Sequence, residues 1–469
     1  MLKTRLAKML LQLSEQIFTI CSRFQWSTVA ALLFFVTLRE INNGRGSAKG
    51  GNRCKILMLD RVVFTEDVLA SLGGGSEFKV IKPWDNSIKG LAHGILPSYL
   101  DDNFYLTEDA QAIALKKKYR EFLAAMWCKL ERYVKFDAVV TGNYGYYAER
   151  ELAIVLEEMG IPFIAMHKEN LKSPGRIEFS KTIYRDRRGP FGGRRILVYN
   201  EGERALQIEA RVASPEKITV CGMPRLDRVH EWRRNNAGKQ RSADRRPQVL
   251  LFSFTPKAVL PRIGRRPQAG FVGNAESIEK SLEILSWEEL SRQTHQATLQ
   301  LAKENPEIDV VIKSKLRLRE RSEMYRMLSE DTKLPDNLEI VVGGDPLDLI
   351  KKSDVVCGFN TTGLLEALAS GKPVVVPRFA EALDPKMQPY IVDLENAAEY
   401  AESPGELVTL LRRHALSRKT MPLELNSTQQ RVLVRWVGNP DGHAGERVRS
   451  AVLSEIRSSV EAHFGSVHG

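Results

Sequence analysis

The residues with the clearest chemical spacing lie in CGFNTTGLLEALASGKPVVVP, positions 357–377. A short apolar run ending at Cys357 predicts a buried strand. Asn360, Thr361 or Thr362 can then cap a helix that Gly371 and Pro373 end. The free N–H groups of such a helix start, reinforced by its dipole and by threonine hydroxyls, form an anion site. Gly358 and Gly363 lack a β-carbon and would admit a phosphate close to the backbone. One acid, Glu366, follows within the first helical turn. It is not part of a capping box, because the position three residues earlier is Gly363. Leu364, Leu365 and Leu368 make the apolar face, which leaves Glu366 beside Gly363, Ala367 and Ser370. A carboxylate one turn beyond a phosphate suits bidentate hydrogen bonds to the vicinal hydroxyls of a ribose. The same position also fits a solvated helix acid.

The elements that must hold this turn are legible as alternating patterns. Short β-branched runs at KILML (55–59), FKVIK (78–82), FDAVVTG (136–142), PFIAMH (162–167), RILVYN (195–200) and KITVCG (217–222) predict strands. Helix-period stretches fall at 108–133, 147–159 and 203–212. The alternation breaks in 229–248, which has no apolar period and reads as a linker. It restarts at VLLFSF (249–254), IDVVIKSK (308–315), LEIVVGG (338–344), DVVCGF (354–359) and PVVVP (373–377), with helices near 278–302 and 319–328. Strand and helix in series imply parallel sheets covered on both faces. The expected fold class is therefore α/β, with two doubly wound Rossmann-like domains facing a cleft. The units are an acceptor domain over 51–230, a linker over 231–248, a donor domain over 249–435 and terminal helices over 436–469. A chain of 469 residues with 43% hydrophobic and 27% charged residues can bury two such cores.

Charge and cysteine usage narrow the function classes. Residues 1–55 hold nine lysines and arginines against Glu15 and Glu40, most of the chain's formal +11. The basic clusters at 185–195 and 233–246 lack zinc-finger spacing or an aromatic RNA-binding signature, so nucleic acid is not an expected partner. The five cysteines are scattered, which argues against disulfides and zinc and for a reduced cytoplasmic protein. No G-x-G-x-x-G follows the first strand and no Walker lysine motif occurs. Dinucleotide and P-loop chemistry drop out. Within residues 1–50, Leu2, Leu6, Met9, Leu10, Leu13, Ile17 and Ile20 place one apolar stripe on a basic amphipathic helix. FQWSTVAALLFFVTL follows, and as a helix it would rise only about 22 Å, short of a bilayer core of about 30 Å. This extension is expected either to lie on an anionic inner leaflet or to pack on the protein's own surface.

The stretch SDVVCGFNTTGLLEALASGKPVVVP resembles the nucleotide-sugar signature of GT-B glycosyltransferases. In that superfamily an acid in this helix holds the donor ribose and the preceding polar turn holds the diphosphate. The chain is most similar to bacterial surface-carbohydrate and capsular-polysaccharide transferases, relatives of the CDP-glycerol glycerophosphotransferases and the non-hydrolysing UDP-N-acetylglucosamine 2-epimerases. VCGMPRLDRV (220–229), VVIKSK (310–315) and GNPDGHAGERV (438–448) extend the resemblance. It implies terminal helices that cross back over the cleft after Asp441. Relatives commonly carry Lys-Pro-His-Pro where this chain has Lys313, Ser314 and Lys315, which counts against a glycerophosphotransferase. The basic insertion 256–277 reads as a mobile loop over the donor.

Sugar transfer needs a base for the acceptor hydroxyl and stabilisation of the leaving diphosphate. For the diphosphate the chain offers the turn Asn360, Thr361, Thr362 and Gly363, with Lys313 and Arg225. No D-x-D occurs, so neither a metal nor any cofactor is implied, the nucleotide sugar being a substrate. For the base, MHKEN (166–170) is expected to put His167 and Glu169 at a strand end facing the cleft. A structural histidine bonded to the backbone is the alternative. Asn143 and Tyr144 are expected to shape the site of a lipid-linked or oligosaccharide acceptor. A nucleotide-sugar 2-epimerase and a non-catalytic assembly factor with the same fold are the rival readings.

Overall fold

A computed structural model of the chain describes residues 2–41, 53–59, 62–74, 77–261, 285–314 and 334–467. Two sheets organise it. The first contains β1 (Arg39–Ile41), β2 (Cys54–Met58), β3 (Phe78–Lys82), β4 (Ala138–Thr141), β5 (Phe163–Met166), β6 (Arg195–Val198) and β7 (Ile218–Val220). Their spatial order is β1-β3-β2-β4-β5-β6-β7, parallel except for β1, which runs antiparallel along β3. The second contains β8 (Gln248–Phe252), β9 (Asp309–Ser314), β10 (Leu338–Val342), β11 (Val355–Gly358), β12 (Val374–Pro377) and β13 (Glu399–Ala401). Its order is β10-β9-β8-β11-β12-β13, parallel throughout.

Every strand expected from the β-branched runs is present. β4, β5, β11 and β12 are buried at each position, as strands covered by helices on both faces must be. Strand order reverses at β2/β4 in one sheet and at β8/β11 in the other. Such switch points open a crevice at the carboxyl ends of parallel strands. The Asn143 loop leaves β4 at the first, and the Asn360 turn leaves β11 at the second.

The terminal helix Ala444–Val467 returns to the first unit, where Val448, Val452 and Ile456 join Ile56, Val140 and Leu197 in one buried cluster. Asp227 fixes its start, accepting from the backbone N–H of Ala444 (3.1 Å) and Gly445 (2.7 Å) and from Asn439 Nδ2 (2.6 Å). The crossing back after Asp441 is thus part of the fold.

Two boundaries differ from expectation. The segment 231–248 is not wholly a linker, because Asp227–Asn235 is a helix that buries Val229, His230 and Arg233. Its inward face is polar and satisfied by distant backbone, Arg233 Nη1 donating to Ala369 O (2.8 Å), so no apolar period announces it. The helix expected over 278–302 is described as Glu288–Glu304. The one expected over 319–328 and most of the insertion 256–277 lie outside the described residues.

The amino-terminal segment takes one of its two expected courses, packing on the protein's own surface. Leu2–Arg23 forms a helix that crosses the helix Ser87–Ile95, burying Phe18 and Cys21. Gly90 and Gly94 make this approach feasible, since a β-carbon on Gly90 would sit 2.5 Å from the Glu15 carbonyl oxygen. Thr19 Oγ1 donates to Gly90 O (3.0 Å) and Ser14 Oγ to Asp85 O (3.0 Å). A second helix, Ser27–Val36, buries Ala30, Ala31 and Phe34, the last with its ring 6.3 Å from that of Trp127. Residues from Ser14 to Ile41 therefore belong to the first unit and are not a detached extension. Among the described residues no helix is long and apolar enough to cross a membrane.

Candidate functional site

The helix Thr362–Ala369 begins at the carboxyl end of β11, with Thr361 as its cap, accepting from Gly363 N (3.3 Å). Thr361 and Thr362 are partly exposed, so the helix start is open. Asn360 plays a different part from the one expected. It sits at φ +48°, and its side chain is spent on the neighbouring loop, donating to Tyr390 O (2.9 Å) and accepting from Val392 N (2.8 Å). Gly358 and Gly363 also serve packing. A β-carbon on Gly363 would lie 2.7 Å from the Phe252 ring, so the missing side chain makes room for phenylalanine and not for phosphate.

Glu366 is only 4% exposed. Among the described residues its nearest cation is Arg225, whose Nε lies 3.7 Å from Oε1, too far for a hydrogen bond. Burial raises the Glu366 carboxyl above its ordinary pKa, and Arg225 and Arg228 offset part of that. Arg225 comes from the first unit, in the turn Pro224–Leu226, and its Nη1 is held by Asp67 Oδ2 (2.9 Å) and the Tyr199 hydroxyl (3.3 Å). Lys313, at the end of β9, donates to Gly343 O (2.6 Å). Burial lowers its pKa, and Glu366, Asp345 and Glu66 act in the opposite sense. Arg228 and Asp345 form a two-pronged pair across the units (2.6 and 2.7 Å). The geometry therefore brings together Glu366, Arg225, Lys313 and the open helix start.

Asp67, Arg228 and Asp345 were not singled out from the sequence. Arg228 lies inside the motif VCGMPRLDRV, which was the available signal; Asp67 and Asp345 belong to no motif, and only the tertiary fold brings Arg225 and Tyr199 to Asp67 and Arg228 to Asp345.

On the first unit, Asn143 accepts from Gly145 N (2.9 Å) and shapes the turn after β4, while Tyr144 is buried beside it. His167 does not face the cleft as expected. It is fully buried at the end of β5, with Nε2 3.1 Å from Glu203 Oε1 and 3.3 Å from the Tyr184 hydroxyl. Glu203 also receives Lys172 and Gln207, so the carboxylate is saturated with donors and the imidazole is locked against it. A base in that position cannot touch an acceptor. Glu169, two residues on, is exposed. Enclosure by its neighbours disfavours its charge, but Arg188, His167 and Lys172 outweigh that and hold the carboxyl below its ordinary range.

No family model matches the chain, and no curated protein matches it. Solved structures similar to it include the UDP-GlcNAc 2-epimerase of Methanocaldococcus jannaschii, at 12% identity over 86% of this chain and 100% of that one, with a TM-score of 0.46. The UDP-GlcNAc 2-epimerase from Neisseria meningitidis bound to UDP-GlcNAc is 12% identical over 85% and 100%, with a TM-score of 0.44. The UDP-forming α,α-trehalose-phosphate synthase from Burkholderia xenovorans is 13% identical over 87% and 100%, with a TM-score of 0.41. Likeness this distant says nothing of substrate.

The Glu203 network makes the fold acid-sensitive. Burial alone would raise Glu203, but Lys172 and His167 bring its pKa down to about 2 from an ordinary 4.5. A depressed carboxylate stabilises the native state above its unfolded pKa and loses that contribution as pH falls toward the folded one. Glu203→Gln should therefore cost on the order of 2–3 kcal/mol at neutral pH, and the gap to wild type should narrow between about pH 5 and about pH 3. Urea unfolding at each pH measures it, and a gap that stays constant would contradict the assignment.

Proposed function

We propose that this chain is a GT-B glycosyltransferase that moves a sugar from a nucleotide-activated donor to an acceptor in surface polysaccharide assembly, capsular or lipopolysaccharide. Glu366 carries this reading. A carboxylate 4% exposed, at an inter-unit crevice and short of hydrogen-bond donors, is costly to keep unless a ligand supplies them. The vicinal hydroxyls of a ribose are two donors at the right spacing. The diphosphate would then lie over the helix start at Thr361 and Thr362, with Arg225 and Lys313 countering the charge that grows on the leaving group.

In this reading Glu169 accepts the proton of the attacking hydroxyl, and His167, held by Glu203, fixes the strand end from which Glu169 projects. A low pKa keeps Glu169 ionised and ready to accept a proton at neutral pH, with modest basic strength.

The acceptor side is read as peripheral, on the inner face of the cytoplasmic membrane. Leu13 and Ile20 are exposed on the first helix, Phe24 in the turn after it, and Val29, Leu32 and Val36 on the second. Trp26 stacks on Phe24 between them, ring centroids 5.4 Å apart. An uncovered apolar face in a segment with a large basic excess suits an anionic bilayer surface.

Four measurements test the reading. Glu366→Ala should weaken nucleotide binding by about 1–3 kcal/mol, read by calorimetry with UDP, GDP and CDP, and unchanged affinity removes Glu366 from the site. Glu169→Gln should lower kcat about 100-fold or more with nucleotide affinity kept, whereas full turnover rules out this base. Product analysis in the same assay separates transfer from epimerisation, because an epimerase converts donor without acceptor. Replacing Trp26, Leu32 and Val36 by serine should abolish flotation with anionic vesicles while preserving the fold; equal flotation of both proteins discards the membrane face.

A further inference from the structure

Away from Glu366, the first unit buries guanidinium nitrogens that lack a hydrogen-bond partner. They include Nε and Nη1 of Arg188, Nη1 of Arg150 and Nε of Arg176. Arg188 is 8% exposed and Arg150 9%. The two lie close enough that each disfavours the other's charge, and Arg188 acts likewise on Arg176. Arg188 therefore has two like charges as neighbours.

The sequence builds this cluster deliberately in local terms. A π-helical turn, Tyr184–Arg188, carries Arg188 inward, and such widened turns concentrate at functional sites. Arg188 lies 5.1 Å from the Tyr184 ring centroid and 5.9 Å from that of Tyr144. Its remaining nitrogen, Nη2, donates to Asn103 Oδ1 (2.8 Å), and Arg150 Nη2 donates to Pro190 O. Of the acids nearby, Glu169 and Asp102 favour the Arg188 charge and Glu169 that of Arg176, so the cluster is partly compensated. Glu203 is taken by Lys172, Glu151 by Arg120 and Tyr105, and Glu169 forms no ion pair within 4.0 Å among the described residues.

Buried polar groups are almost always satisfied, and an unpaired buried charge costs several kcal/mol. The missing partner must therefore be anionic and rich in acceptor oxygens. The three guanidiniums come from three elements: the helix Arg150–Glu158, the helix Pro174–Ile183 and the π-helical turn. Approach from three elements suits a tetrahedral oxyanion better than a flat carboxylate. A recess of about 590 Å³, lined by Lys89, His93, Asp101, Asp102 and Asn103, lies beside the cluster and reaches Asn103, the residue that holds Arg188, although none of the three arginines lines it.

We propose that Arg150, Arg176 and Arg188 form a second anion site that binds a phosphoryl or diphosphoryl group. That this group belongs to the acceptor rests on the transferase reading; the site itself does not. A lipid-linked diphosphate and a phosphate-bearing glycan would present the same oxygens.

Calorimetry on the full chain, saturated with nucleoside diphosphate so that the crevice is filled, tests the site with inorganic pyrophosphate. Wild type should bind it, and Arg188→Gln and Arg176→Gln should each weaken it tenfold or more while nucleotide affinity stays within twofold. Arg176 is less buried than Arg188, so its variant decides the matter if Arg188→Gln does not fold. A prenyl diphosphate in micelles that binds tenfold tighter than pyrophosphate identifies a lipid carrier, and equal binding identifies a soluble acceptor. No binding of pyrophosphate to wild type, or undiminished binding in the variants, overturns the proposal. Loss of nucleotide binding in Glu366→Ala is a separate readout, so the two ideas fail independently.

Discussion

Arg225 joins the two halves of this protein through one guanidinium. Its Nη1 is fixed by Asp67 at 2.9 Å on the first unit, while its Nε reaches to 3.7 Å from Glu366 on the second. A buried cation anchored on one side and only loosely met on the other leaves the crevice electrostatically unfinished, and removing either acid would strand a charge in a poor solvent for it. Arg228 with Asp345, and Arg233 with the carbonyl of Ala369, repeat the linkage at neighbouring points. The relative position of the sheets is thus held by ion pairs and side-chain-to-backbone bonds, in addition to the returning helix Ala444–Val467.

Polar groups are distributed between two roles. Some are saturated and structural: the Asn360 side chain ties a loop, Asp227 caps the terminal helix, and Glu203 collects His167, Tyr184, Lys172 and Gln207. Others stay under-satisfied at the carboxyl ends of the strands, above all Glu366 and the arginines around Arg188. The contrast separates scaffold from site more sharply than residue type does, since histidine and asparagine, favoured on chemical grounds, fall on the structural side.

The parallel sheets were readable because strands buried on both faces must be apolar at consecutive positions, and these runs recur between helix-period stretches. β1 and β13 were not readable, being three-residue edges defined by a neighbour's backbone. The helix Asp227–Asn235 escaped for a related reason. His230 and Arg233 are buried there because Asn439 O and Ala369 O, far along the chain, accept their hydrogen bonds.

By itself the sequence determined two α/β units, their strands, the capped helix after β11 and the acid within it, all consequences of local period and short-range capping. Tertiary structure alone decided that Glu366 is buried beside an arginine of the other unit, that His167 is sealed against Glu203, that Gly363 accommodates Phe252, and that the first helices join the core. Each of these depends on what a residue meets across space, and partners separated by tens to hundreds of positions leave no periodic trace in the chain.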